Sequence, residues 1–212
     1  MKRLLVLLGL ISTAFPVLCL AADAAPAAAK TAAPAASTGT GSPAPAQQLQ
    51  VVTSMGSFII ELNAERAPLT VPNFLKYVDQ GHYTGTIFHR VIANFIIQGG
   101  GFDKEYKPRP APTKVFNESG NGLTNVRGTV GMARSEEPHS SDAQFYVNLY
   151  DNQALDPSLT RWGYAVFGKV IQGMDVVDKI GNVPTTTHGL FKDTPVQPVV
   201  IERIERISVP SQ

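Results

Sequence analysis

Apolar and polar positions change their spacing several times along the chain, and each change marks an element. Leu49 to Thr53 and Ser57 to Leu62 are β-rich runs either side of Ser54-Met55-Gly56, which predicts two strands joined by a hairpin turn. After Ala67-Pro68 the period lengthens. Val71, Phe74, Leu75 and Val78 fall at i, i+3, i+4 and i+7, so an amphipathic helix is predicted with Thr70 as N-cap and Gly81 as stop. Further strands are predicted at Thr86 to Val91, Phe95 to Gln98, Gly128 to Arg134, Gln144 to Leu149 and Tyr164 to Ile171, each bounded by Gly, Pro, Asn or Asp. Gly173 to Ile180 predicts a second short helix ending at Gly181. In Val199 to Val209 the isoleucines 201, 204 and 207 are three apart, as in a helix, but the β-branched content favours a strand. About eight short strands with two helices, and no repeated strand-helix alternation, predict an antiparallel barrel or sandwich.

The N-terminal quarter follows none of these patterns. Met1-Lys2-Arg3 is a basic start, Leu4 to Leu20 an apolar run, and Ala22-x-Ala24 a small-x-small site, which together predict a signal peptide over residues 1–24. The apolar run is near the lower limit for a membrane span, but Pro16 and the small residues after it favour cleavage. A lipoprotein reading through Cys19 is opposed by bulky Leu18 just before it. Residues 25–48 are mainly Ala, Pro, Thr, Ser and Gly and bury too little apolar surface to offset the entropy of ordering, so a disordered Ala/Pro-rich linker is expected. The folded domain is then expected over residues 49–209, in a chain exported to the periplasm with no stable membrane insertion after cleavage.

Composition narrows the function classes. Eighteen basic residues against 17 acidic ones leave no excess of cations to neutralise a phosphate backbone, so nucleic acid is not an expected partner. The single cysteine excludes a disulfide framework and a cysteine-rich metal site, and it departs with the signal peptide. The histidines, His82, His89, His139 and His188, show no metal-ligand spacing, so no metal is expected. Gly99-Gly100-Gly101 lacks the Lys-Ser or Lys-Thr of a phosphate loop, and no Gly-x-Ser-x-Gly elbow occurs.

One segment stands out. In Phe88-His89-Arg90-Val91-Ile92 an arginine lies inside an apolar run, where a guanidinium is costly unless paired or used. Regular strand alternation puts Phe88, Arg90 and Ile92 on one face and His89 on the other; likewise Ile96 pairs with Gln98 and Gln144 with Tyr146. An apolar patch with a few polar donors fits a small-ligand site, although Arg90 taken alone also fits a solvated strand face.

The motif series Phe88-His89-Arg90-Val91-Ile92, Phe95, Gln98-Gly99-Gly100, Gly128-Thr129, Met132-Ala133, Gln144-Phe145-Tyr146, Leu155-Asp156 and Val166-Phe167-Gly168-Lys169-Val170 resembles that of cyclophilin-type peptidyl-prolyl isomerases. Its order and spacing run from Val51 to about Ile207 and look most like the bacterial periplasmic branch. The resemblance implies a closed eight-stranded antiparallel β-barrel capped by two α-helices, and cis-trans isomerisation of Xaa-Pro bonds without metal, cofactor or covalent intermediate. It implies that Arg90 is the catalytic arginine and that Gln98 and Gln144 bind the peptide backbone and orient Arg90. Phe95, Ile96, Tyr146 and Leu155 would hold the proline ring, with Phe95 entering from the loop before its strand. Ala133 and Arg134 would pair with the peptide through main-chain groups, and Tyr164 would line the groove. Ala154 stands where eukaryotic relatives carry an aromatic that contacts cyclosporin. The implied partners are proline-containing unfolded or extended polypeptides, met by a monomer during folding of exported proteins. A non-catalytic proline-peptide-binding chaperone and an envelope interaction module are the rival expectations.

Overall fold

The structure is a computed structural model that describes residues 47–207. The expected signal peptide, the expected linker up to residue 46 and residues 208–212 lie outside the described residues. The chain runs β1 (Gln48–Thr53), β2 (Gly56–Leu62), α1 (Thr70–Asp79), β3 (Thr86–Ile92), β4 (Ile96–Asp103), β5 (Thr129–Met132), β6 (Phe145–Asn148), a short 3-10 turn (Gln153–Leu155), β7 (Val166–Gln172), α2 (Met174–Gly181), β8 (Thr185–His188), β9 (Phe191–Pro195) and β10 (Val200–Ile207). Eight of the strands close a barrel in the order β1, β10, β3, β4, β6, β5, β7, β2, and every pairing is antiparallel. Closure leaves the barrel no unpaired edge.

The interior is filled by alternate strand residues, among them Leu49, Val51, Phe58, Ile60, Ile97, Val130, Phe145, Val147 and Phe167. The face of α1 predicted from its spacing is the face it buries. Phe74 at its centre meets Tyr83, Phe145 and Phe167 at ring distances of 5.0, 5.5 and 5.0 Å. Each such ring contributes about 1.5–3 kcal/mol by leaving water. On α2, Val176, Val177 and Ile180 are buried in the same way.

Two local expectations change, one ambiguity is explained and one element is added. Thr70 is the first residue of α1 and not its N-cap. The cap comes from Glu118 in a distant loop, whose carboxylate accepts from Leu69 N at 3.0 Å, Thr70 N at 2.8 Å and Thr70 Oγ1 at 2.6 Å. An anion at this end complements the helix dipole as well as the free N–H groups. The three-residue isoleucine spacing of the last strand arises from a bulge: Thr53 pairs with Ile201 and Val52 with Arg203, so Glu202 is extra and Ile201 and Ile204 both turn inward. A similar register shift between Phe88 and Arg90 breaks the alternation on β3. Phe88 and Val91 both enter the core, so Phe88 does not share a face with Arg90. Finally, β8 and β9 form a separate two-stranded hairpin that the apolar pattern does not announce, because β8 is exposed throughout.

Candidate active site

The outer face of four neighbouring barrel strands carries a row of facing residues. Arg90 on β3 pairs with Gln98 on β4, Gln98 with Tyr146 on β6, and Tyr146 with Gly131 on β5. Their inward neighbours Ile97, Phe145, Val130 and Met132 belong to the core, so strand alternation itself directs Gln98, Gln144 and Tyr146 outward. Gly131 is required at its end of the row because a Cβ there would collide with the Tyr146 phenol. Gly101 makes room for Gln144 in the same way, its Cβ position lying 2.5 Å from Gln144 Cδ.

Gln98 Nε2 donates to Gln144 Oε1 at 3.5 Å, which joins the two glutamines across β4 and β6. Gln144 also fixes Ala133, whose N–H donates to the Gln144 carbonyl at 2.9 Å. The Arg90 side chain is 41% exposed, and among the described residues its charged partner is Asp193 on β9, at 3.8 Å from Nε. No side-chain hydrogen bond joins Arg90 to Gln98 among the described residues, so the orienting role implied for Gln98 rests on their pairing across β3 and β4.

The residues expected to hold the proline ring come from three segments tied together underneath. Ile96 begins β4 and is buried, while Phe95 lies half-buried on the turn before it. Leu155 ends the 3-10 turn, with Ala154 exposed beside it. Tyr146 is 2% exposed, and burial pushes its hydroxyl pKa well above the usual value, so the phenol is a neutral hydrogen-bond donor. That hydroxyl donates to Asn125 Oδ1 at 2.6 Å, and Asn148 Nδ2 donates to the same oxygen at 3.2 Å. Asn152 Nδ2 donates to Asn148 Oδ1 at 2.7 Å and to the Phe95 carbonyl at 2.9 Å. The Asn152 carbonyl accepts from Leu155 N at 2.8 Å, and Asp156 Oδ1 accepts from Asn125 N and Nδ2, both at 2.8 Å. One buried polar network therefore reaches Tyr146, Phe95 and Leu155 together. The asparagines escaped the sequence reading because an isolated Asn in a loop or at a strand end carries no period.

At the far end Arg134 lies over the Tyr164 ring, its Cζ 4.5 Å from the centroid, and Tyr164 meets Tyr146 edge to face at 6.1 Å. The Arg134 guanidinium donates to the carbonyls of Trp162 at 2.8 Å and Gly163 at 3.1 Å, so it braces this wall as a side chain. The expected peptide-pairing groups are on its main chain. The Trp162 ring meets His139 at 5.1 Å. Among the described residues no group of three or more His, Cys, Asp or Glu is placed to hold a metal ion, and no helix is long and apolar enough to cross a membrane.

A closed eight-stranded barrel of this strand order, with a half-exposed guanidinium and two joined amides on its outer face, is comparable with known proteins at the level of sequence and fold. Residues 48–206 match the family model described as cyclophilin type peptidyl-prolyl cis-trans isomerase/CLD. The chain is 50% identical over 161 residues to a peptidyl-prolyl cis-trans isomerase of Acinetobacter baylyi, covering 76% of this chain and 86% of that one. Over 155 residues it is 48% identical to peptidyl-prolyl cis-trans isomerase B of Escherichia coli, covering 72% and 94%. The crystal structure of a cyclophilin type isomerase from Cryptosporidium parvum superposes with a TM-score of 0.65 at 27% identity, covering 78% of this chain and 99% of that one. A second structure of that protein, in the presence of the dipeptide Ala-Pro, gives 0.64 at 26% identity, covering 77% and 100%. The chain belongs to the cyclophilin-type peptidyl-prolyl cis-trans isomerase family.

Proposed function

We propose that this chain catalyses cis-trans isomerisation of Xaa-Pro bonds in extended segments of exported proteins, as a monomer of the bacterial periplasmic branch of its family. The observation that carries the reading is the row of Arg90, Gln98 and Tyr146 across three hydrogen-bonded strands, with Phe95 and Leu155 tied to it by the asparagine network. The proline ring sits against Phe95, Ile96, Tyr146 and Leu155. The peptide on its N-terminal side runs past Ala133 and Arg134, whose main-chain groups pair with it as an added strand would. The Arg90 guanidinium donates to the prolyl carbonyl and approaches the imide nitrogen as the bond twists.

The uncatalysed rotation costs about 18–20 kcal/mol because amide resonance is lost at the twisted state. A donor that binds this state better than either planar isomer lowers that barrier without moving a proton. The pocket's part is to hold the ring while the bond turns, and its braced side chains lose little freedom in doing so.

The Ala-Pro dipeptide present with the Cryptosporidium protein supports an Xaa-Pro ligand here, and the leader-like N-terminus supports export. A protease-coupled assay on an Ala-Pro model peptide tests the activity. The account expects relaxation at catalytic concentrations of protein far faster than the spontaneous rate of tens of seconds. A spontaneous rate together with measurable peptide binding would make the domain a non-catalytic proline-peptide binder. For export, the mature chain is expected in the periplasmic fraction with the leader removed, and full-length chain in the cytoplasm contradicts it.

A further inference from the structure

The β8–β9 hairpin belongs neither to the barrel nor to the proline pocket, yet it stands beside Arg90. It packs on the outside of the barrel through an aromatic chain. His89 meets Phe102 at 4.7 Å, Phe102 meets Phe191 at 4.9 Å, and Tyr106 meets Phe191 and His188 at 5.4 and 4.3 Å. Thr194, next to Asp193, is 1% exposed. These contacts fix the hairpin against β3.

Within the hairpin the register slips. Thr186 pairs with Thr194 and His188 with Phe191, so Lys192 and Asp193 stand opposite the single residue Thr187. Two residues against one form a β-bulge, and Asp193 holds a left-handed φ of 55° there. Glycine occupies that conformation at the lowest steric cost, with Asp and Asn next. The bulge places the Asp193 carboxylate beside the catalytic arginine, Oδ2 lying 3.8 Å from Arg90 Nε. Arg90 itself follows a register shift on β3, so both partners are set by departures from regular alternation.

We propose that Asp193 is a positioning residue for Arg90, engaging the Nε edge of the guanidinium and leaving its two terminal nitrogens for the prolyl bond. The proposal rests on the isomerase reading given above. A long arginine side chain loses considerable rotamer freedom when it is fixed in one geometry. Asp193 imposes that restriction before substrate arrives. With the two side chains 41% and 45% exposed the pair is weak and screened by salt, so the effect is modest.

Asp193→Asn removes the charge while keeping the size and the left-handed tolerance. Asp193→Gly removes the side chain and relaxes the backbone, which guards against a folding defect. For both, kcat on an uncharged Ala-Pro peptide is expected to fall about five-fold, or about 1 kcal/mol at 1.36 kcal/mol per decade, with KM and Tm unchanged. Raising the ionic strength to the molar range should lower kcat of the natural protein toward that of Asp193→Asn and leave the variant unaffected. In an Arg90→Ala background Asp193→Asn should change nothing further. Natural kcat in Asp193→Asn, or the same loss in both backgrounds, overturns the proposal while leaving the isomerase reading intact. Full activity of Arg90→Ala would overturn both.

Discussion

The inner and outer faces of β3, β4 and β6 are made by the same backbone and do opposite work. Inward, Phe88, Ile97, Phe145 and Val147 exclude water and have no polar side-chain atom to satisfy. Outward, Arg90, Gln98, Gln144 and Tyr146 are polar, half-buried or buried, and each needs a partner. The inner face gains from dispersion and apolar burial, which need close contact but no particular direction. The outer face depends on hydrogen bonds, which weaken steeply with distance and angle. On β4 and β6 the two sets alternate, so a one-residue slip would exchange them, and closure of the barrel fixes the register against it. If the outer row acts as proposed, stability and catalysis are expected to separate on substitution at adjacent positions.

The largest expected effect on stability lies on the inner face. Phe145 packs edge to face on Phe74, Tyr83 and Phe88 at 5.5, 5.6 and 6.0 Å. Truncating it in Phe145→Ala should cost about 3–5 kcal/mol and lower Tm by roughly 10 °C in a thermal scan. The protein that remains folded at low temperature should keep kcat/KM within a few-fold. A loss of turnover out of proportion to the folded fraction would show that the faces are not separable.

The outer face under the hairpin gives a pH signature. Burial first, and the nearby Arg90 charge second, lower the His89 pKa to about 4 from its usual 6.5. Between those values the unfolded chain binds a proton that the folded chain does not. Stability therefore falls as the pH drops from 6.5 toward 4, by about 3 kcal/mol in all, and this contribution levels off below 4. His82, also lowered chiefly by burial, adds in the same direction. Denaturation midpoints measured across this window in the natural protein and in His89→Phe should show a shallower slope in the variant. Equal slopes would mean that His89 titrates normally.

A smaller effect sharpens the comparison. Tyr146→Phe keeps the ring in the pocket but deprives Asn125 Oδ1 of its 2.6 Å donor, leaving the Asn148 bond at 3.2 Å. About 1 kcal/mol of stability should go, with a few-fold loss of kcat/KM as the network holding Phe95 and Leu155 loosens. Unchanged turnover would show that the apolar walls hold the pocket without the network.

How much of this was legible in the sequence follows from what produces a period. The helix of Val71, Phe74, Leu75 and Val78 and the strands flanking Met55 and Gln98 follow from apolar spacing alone. Closure into a barrel does not, because β1 and β10 pair residues about 150 positions apart in sequence. Arg90 drew attention as a charge in an apolar run, and Gln98, Gln144 and Tyr146 through alternation. The face of Phe88 was misread because a bulge leaves no mark in a period-two pattern. Asp193, Asn125, Asn148 and Asn152 act through tertiary contacts that local spacing does not carry. Glu118 capping α1 from 48 residues away belongs to the same class.

The most direct test of the central claim, that the outer row serves the twisted transition state and not the core, is a paired measurement on Arg90→Ala. Its kcat/KM on an Ala-Pro peptide and its Tm are read on the same preparation. The account predicts a loss of roughly 100- to 1000-fold in kcat/KM, or about 3–4 kcal/mol of transition-state binding, with Tm within a degree or two of the natural protein. Near-natural turnover by a folded Arg90→Ala protein would contradict it, as would a loss of activity matched by a loss of fold.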